Sequence, residues 1–245
     1  MQLLSQSAQT QFNLVLTAEQ LAKFQRYYEL LSEWNNRFNL TAITDFEGVQ
    51  IKHFLDSLTL AAPQLLGGIS LDFNQFSLID IGAGAGFPGL PLKIIFPAMR
   101  LVMSDSVGKK VTFLENVAKE LNLSEVTVLT KRAEELGQDP AFRTKFDIAT
   151  ARAVAHLSVL AEYCLPLCKV GGYFLAPKKG EKLAQEIREG NAAVKKLGGK
   201  LLPTPEFALP GDTTVDRRIL VIEKIAPTPP GYPRRVGLPS QKPLT

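Results

Sequence analysis

The chain has 245 residues, 45% apolar and 21% charged, a globular balance that excludes wholesale disorder and collagen-like repeats. No stretch approaches the roughly 20 apolar residues needed to cross a bilayer, and the polar start 1–10 lacks the order of a signal peptide, so a cytoplasmic protein with no membrane partner is expected. Two cysteines and two histidines are too few for a disulfide framework or a His-rich metal site, and the net charge of +4 is modest.

The first strong helical pattern follows Thr17, which with Gln20 forms a capping box. Leu21, Phe24, Tyr28, Leu31, Trp34 and Phe38 recur at helical spacing, a stripe for helix packing rather than a base-stacking platform. A second helix is predicted over 47–62, with Ile51, Phe54, Leu55 and Leu58 on its buried side; Pro63 and Gly67-Gly68 end it. From Phe76 the pattern changes. Short apolar runs at 76–81, 100–105, 126–130, 146–150 and 171–176 read as strands. Helical stretches at 89–96, 108–122, 133–142 and 156–168 fill the gaps, which implies parallel crossovers and an α/β sheet covered on both faces. After a charged helix at 181–197, the runs 200–208 and 218–225 have no helix between them. The last strand therefore enters antiparallel, and Pro203, Pro205 and Pro210 place the first of the pair at an edge. Residues 225–245 hold Arg234, Arg235 and Lys242 and no acid, against 25 basic and 24 acidic residues elsewhere. This Pro-rich basic tail reads as extended, and it favours a polyanionic partner or serves solubility. The expected division is a helical cap at 1–70, a main domain at 71–226 and a tail at 227–245.

Asp80-Ile81-Gly82-Ala83-Gly84-Ala85-Gly86-Phe87-Pro88-Gly89 ends the first strand and opens a helix, and its glycines let backbone approach a ligand closely. Two registers compete. Gly84, Gly86 and Gly89 spell the dinucleotide fingerprint, with Asp105 about 20 residues on, as in NAD-dependent oxidoreductases. Asp80, Gly82, Gly84 and Gly86 spell D-x-G-x-G-x-G, the turn of S-adenosylmethionine enzymes, where the acid reaches the methionine ammonium directly or through water. The second register is favoured, because an anion beside a pyrophosphate repels it. Asp105 suits either cofactor as a ribose acceptor, or caps the helix that follows.

Trp34-Asn35-Asn36-Arg37-Phe38-Asn39-Leu40-Thr41, Lys52-His53-Phe54-Leu55-Asp56-Ser57, the 80–89 turn and Asp105-Ser106-Val107-Gly108-Lys109-Lys110 occur in order. Arg132-Ala133-Glu134-Glu135, Ala151-Arg152-Ala153, Lys178-Lys179-Gly180 and Asp216-Arg217-Arg218 follow. Together they resemble the ribosomal RNA small-subunit methyltransferase G family, also called glucose-inhibited division protein B. The likeness covers nearly the whole chain; residues 232–239 resemble the tail of its longer members, and the first 12 residues match nothing in it. The resemblance implies a class I methyltransferase fold with a mostly parallel seven-stranded sheet. It also implies S-adenosylmethionine as donor and methylation of N7 of a guanine in 16S rRNA, free or in the small ribosomal subunit. Carried over by position, the cofactor contacts are Gly82, Phe87, Asp105, Ser106, Val107, Ala133, Glu134 and Arg152, with Asp80, Gly84 and Gly86 added from the glycine turn.

Glu134 either reads the adenine edge or complements a helix dipole. Guanine N7 carries a lone pair and no proton, so no general base is needed, and Thr150-Ala151-Arg152-Ala153-Val154 offers none. Cys164 and Cys168 read as buried small hydrophobes rather than nucleophiles. Arg152 takes a cofactor-binding or orienting role, against a structural ion pair. Lys52, His53 and Asp56 share a helix face and either line an RNA-facing rim or make a solvated ion pair beside a satisfied histidine. Lys178, Lys179, Arg217, Arg218, Arg234 and Arg235 are phosphate-contact candidates, and the tail either covers the cofactor cleft or reaches into RNA. A small-molecule methyltransferase with the same pocket is the nearest alternative.

Overall fold

The structure, a computed structural model, describes residues 1–245. Helix α1 (Gln2–Phe12) was not expected from so polar a segment. It buries Leu4 and Ala8 against the body, and its Leu4 N–H donates to the buried side chain of Gln50 at 3.2 Å. Helix α2 (Ala18–Phe38) begins at the expected capping box, in which Gln20 N–H donates to Thr17 Oγ1 and Thr17 N–H to Gln20 Oε1. Its Trp34 lies 5.6 Å from the ring of Phe113, so the aromatic stripe packs helices together.

The helix expected over 47–62 is interrupted. Helix α3 (Phe46–Val49) runs into a π-helical segment (Gln50–Leu55), then α4 (Asp56–Leu58) and a 3₁₀ turn. Such π turns widen a helix by one residue and are frequent at functional sites. This one carries Lys52 and His53.

Strands and helices then alternate as β1 (Ser77–Ile81), α5 (Gly89–Ile95), β2 (Arg100–Ser104), α6 (Gly108–Glu120), β3 (Val126–Leu129), α7 (Ala133–Gln138), β4 (Phe146–Thr150), α8 (Leu157–Cys164) and β5 (Cys168–Lys179). Strand β5 is longer than its apolar run, because antiparallel pairing with the last strand extends it to Lys179. After α9 (Leu183–Lys196) come β6 (Gly199–Leu202) and β7 (Arg217–Lys224). The sheet order is β3-β2-β1-β4-β5-β7-β6, with β7 antiparallel to both neighbours and β6 at the edge. This is the class I methyltransferase arrangement. The order reverses between β1 and β4, and ligand crevices form at such a switch point, beyond the carboxyl ends of the strands.

One hydrophobic cluster joins Leu4, Phe24, Tyr27 and Phe54 of the N-terminal helices to Leu78 and Leu101 of the sheet, so those helices share the body's core. A second lies on the opposite face around α8 and α9. No helix is long and apolar enough to cross a membrane.

The tail is folded rather than extended. Arg234 places its guanidinium on Glu162, which is fully buried in α8, with Nε and Nη2 contacts of 2.9 and 2.7 Å. Arg143 donates to the carbonyls of Thr228 and Tyr232, Gln138 donates to that of Pro233, and a short helix α10 (Leu238–Gln241) follows. The buried acid decides this outcome. An unpaired carboxylate inside an apolar helix is costly, and breaking such a pair costs roughly 3–5 kcal/mol.

Gly86 shows how the glycine turn is locked to the N-terminal helices. Its φ is +94°, and a Cβ there would lie 2.5 Å from Leu90 Cδ1, 2.6 Å from Tyr27 Oη and 3.0 Å from Leu114 Cδ2. Gly86→Ala should therefore destabilise the protein by roughly 2–4 kcal/mol through backbone strain and overpacking. Urea unfolding checks this; an unchanged midpoint would contradict the packing described.

Candidate functional site

The turn after β1 folds back on itself. Gly82 and Ala83 N–H donate to Ser104 O at 2.8 and 3.0 Å, Gly84 N–H to Asp105 Oδ2 at 3.0 Å, and Gly86 and Phe87 N–H to Ala83 O. These donors are consumed within the protein, and none of them is left to cradle a pyrophosphate. Asp80 Oδ2 accepts from Gly89 N–H at 2.9 Å, so a carboxylate already sits where α5 begins. The dinucleotide register is thereby disfavoured on hydrogen-bonding grounds as well as on charge.

A cavity of about 510 Å³ opens above this turn, within the usual range for small-molecule sites. Its wall includes Gly82, Gly84, Phe87, Asp105, Ser106, Val107, Ala133, Glu134 and Arg152, residues from the ends of β1, β2, β3 and β4. Two of the residues assigned to the cofactor lie outside that wall. Gly86 is under Tyr27 and Leu90, as described. Asp80 is fully buried and is not part of that wall. Its Oδ1 is buried without a hydrogen-bond partner. Burial, more than the opposing Gly89 hydrogen bond and Arg152 charge, raises its pKa to about 7.

Asp105 joins the glycine turn to the loop before α6, whose N-cap is Val107 without a side-chain cap, so the capping role expected of Asp105 is not the one it takes. It lines the cavity, while Oδ1 accepts from Val107 N–H at 2.9 Å and Oδ2 from Gly84 N–H. Glu134 also lines the wall and is 4% exposed; its Oε1 accepts from Gly237 N–H of the tail at 2.9 Å.

Beside this cavity lies a second basin of about 440 Å³, lined by Lys52, Lys178, Lys179, Arg217 and Arg218 with Asp56 and Glu186. His53, Arg152 and Ala153 belong to both walls. The partition between them is an aromatic and ionic stack. His53 stacks on Phe87 with ring centres 4.5 Å apart, and the Arg152 guanidinium lies 5.0 Å from the same ring. Arg152 Nη1 donates to Asp56 Oδ2 at 2.7 Å, and Arg217 Nη1 donates to Asp56 Oδ1 at 2.7 Å. Asp56 thus joins two arginines instead of the i,i+4 Lys52 that sequence spacing offered it. Thr41 Oγ1 meets His53 Nε2 at 2.7 Å. Burial, reinforced by the Arg152 charge, lowers the His53 pKa to about 4, so this ring is neutral at neutral pH.

The phosphate-contact candidates divide. Lys52, His53, Lys178, Lys179, Arg217 and Arg218 converge on the basin, whereas Arg234 is committed to Glu162 and Arg235 is on the folded tail. Among those lysines and arginines, Lys52 and Arg235 form no ion pair; Lys178 is held by Glu186, Lys179 and Arg217 by Asp212, and Arg218 by Glu206. Sequence reasoning missed Thr41, Tyr163 and Val154 in the cavity wall, and Asp56 as the bridge. Cys164 and Cys168 are buried and away from both walls. No group of three or more His, Cys, Asp or Glu side chains is arranged to hold a metal.

A family model described as rRNA small subunit methyltransferase G matches residues 20–216. The ribosomal RNA small subunit methyltransferase G of Roseiflexus sp. strain RS-1 is 48% identical over 95% of this chain and 95% of its own. That of Exiguobacterium sibiricum is 49% identical over 94% of each. Among solved structures, P. horikoshii TYW2 in complex with MeSAdo matches 69% of this chain and 61% of its own at a TM-score of 0.51. Its 11% identity makes this a likeness of fold alone.

The raised Asp80 pKa has a measurable sign. The native state binds this proton more tightly than the unfolded chain, where the value is 3.8, so Asp80 costs stability as pH rises from about 4 through 7. Denaturant midpoints measured from pH 5 to 8 should fall with pH relative to Asp80→Asn, which keeps an acceptor for Gly89. Parallel profiles for the two proteins would contradict the assignment.

Proposed function

As a member of the rRNA small subunit methyltransferase G family, to which this chain belongs, the protein transfers a methyl group from S-adenosylmethionine to N7 of a guanine in 16S rRNA, and we propose that the glycine-turn cavity holds the donor while the adjoining basin receives the RNA. The observation that carries this reading is the shared wall: His53 and Arg152, both lying on the Phe87 ring, line the two spaces alike.

The residues fit such a donor. A Cβ at Gly84 would meet nothing nearer than Gly82 O at 3.8 Å, so it would occupy cavity space, and glycine keeps that space free. Asp80, with an unpartnered oxygen and a pKa of about 7, supplies in its ionised form negative potential for an ammonium and a sulfonium through an intervening water or through its field. Asp105, Ser106 and Val107 take the ribose side, Ala133 and Glu134 the adenine side, and Gly82 to Phe87 the methionine side. When bound, the donor supplies an electrophilic methyl carbon on a positively charged sulfur.

The rest is positioning. Displacement at carbon requires nucleophile and methyl near 3 Å and in line. N7 needs no deprotonation, and His53, neutral and bonded to Thr41, is suited to shape rather than to basic work. Arg152, fixed by Asp56 and by the Phe87 face, orients the guanine through its edge while leaving N7 free. Lys52, Lys178, Lys179, Arg217 and Arg218 draw in the phosphate backbone, several of them exchanging a carboxylate partner for a phosphate. In this reading residues 1–70 form the cap that brings Lys52 and His53 over the body at 71–226. The substrate is 16S rRNA, free or within the small ribosomal subunit, and the protein works in the cytoplasm beside it.

Mass spectrometry of rRNA nucleosides tests this. Unmethylated small subunits incubated with the protein and S-adenosylmethionine should gain 7-methylguanosine, and a product methylated elsewhere would contradict the reading. Arg152→Ala should lower turnover more than RNA affinity, and the opposite split would reassign Arg152 to phosphate contact. Lys52→Ala should weaken RNA binding and reduce its salt slope by about 0.7–0.9; an unchanged slope would remove Lys52 from the interface.

A further inference from the structure

We propose that the C-terminal segment 228–242 is a positioning element of the donor cavity, holding the Glu134 carboxylate in the orientation that reads adenine. The inference rests on the donor reading of that cavity and deepens it.

Three observations converge. First, the tail touches the wall itself: Gly237 N–H donates to Glu134 Oε1 at 2.9 Å, and the adjacent Tyr163, another wall residue, has its pKa raised by burial and then by the Glu134 charge. Second, the tail is anchored on the two helices that frame this end of the cavity. Arg234 grips the fully buried Glu162 of α8, and Gln138 of α7 donates to Pro233 O at 2.6 Å. Third, α7 is shaped to receive it. A Cβ at Gly137 would lie 2.6 Å from Pro233 Cγ, so the missing side chain is what lets the tail seat.

The chemistry explains why such a strut is useful. Glu134 lies in the first turn of α7, at 4% exposure, where rotamer freedom would let its carboxylate swing away from a planar ligand edge. A backbone donor on one oxygen fixes the plane of the carboxylate. The group then presents an acceptor to the exocyclic amine of adenine and repels the carbonyl that hypoxanthine carries at the same position. The basic tail is thereby assigned to donor selection rather than to RNA contact.

Isothermal titration of the full-length protein with S-adenosylhomocysteine and with S-inosylhomocysteine tests the proposal. Wild type should bind the adenine compound at least tenfold more tightly. Gly237 has φ +82°, and a Cβ there would meet only Gln241 Nε2 at an ordinary 3.7 Å, so Gly237→Val moves the N–H by backbone strain rather than by collision. This variant should lose about tenfold in affinity for S-adenosylhomocysteine and little for the inosine compound, narrowing the ratio. Gly237→Ala, with milder strain, should narrow it in the same direction and stands in if the valine protein does not fold. A narrowed ratio supports the strut. An unchanged ratio in folded variants overturns it while leaving the donor site intact. A wild type that binds both compounds alike overturns the adenine-reading role of Glu134, and the strut with it.

Discussion

A carboxylate buried beneath a glycine turn is the constraint on which the rest of this structure depends. Asp80, the penultimate residue of β1, has one oxygen on Gly89 N–H and the other without a partner, entirely out of solvent. Its carboxyl group occupies the start of α5, where a phosphate would otherwise dock, and on the proposed reading its ionised form favours a positively charged ligand above the loop. The amides of Gly82, Ala83, Gly84, Gly86 and Phe87 are taken by Ser104, Asp105 and Ala83, so most of the loop's donors are spent within the protein. The same loop carries Phe87, whose ring is both the edge of the cavity and the surface on which His53 and Arg152 lie.

From that ring a chain of charges leads outward. Arg152 is held by Asp56, Asp56 also holds Arg217, and Arg217 is held by Asp212, whose pKa its hydrogen bonds bring down to about 2. Each arginine is therefore held in a fixed direction, which isolated surface cations are not. The result is a rigid partition with a compact, polar cavity on one side and a cationic basin on the other. Methyl transfer to a base with an available lone pair asks for little more than this: two binding sites, one layer apart, with the intervening groups fixed.

Much of this was legible in the amino-acid order, for identifiable reasons. The alternation of short apolar runs with helical stretches determines parallel crossovers, and the absence of a helix between the last two runs determines the antiparallel β7. The wall residues Gly82, Asp105, Ala133, Glu134 and Arg152 all lie at carboxyl ends of strands, which is where this architecture always opens. What was hidden depended on distance in the chain. Asp56 has Lys52 at helical spacing, but its partners are Arg152 and Arg217, 96 and 161 residues away. The π-helical turn around His53 leaves no mark in apolar periodicity. Proline-rich composition suggested an extended tail, yet Glu162, the lone acid in the apolar segment Leu157–Cys164, was a signal that some cation had to reach it.

On the proposed reading one cavity, over the glycine turn and against the Phe87 partition, is where the methyl donor resides. A crystal structure with bound S-adenosylhomocysteine measures this most directly. Adenine should lie beside Glu134, ribose beside Asp105 and the sulfur against the Phe87 and Arg152 side. Density for the ligand in the basin among Lys178, Lys179 and Arg217, with the cavity above Gly84 filled by solvent, would contradict it.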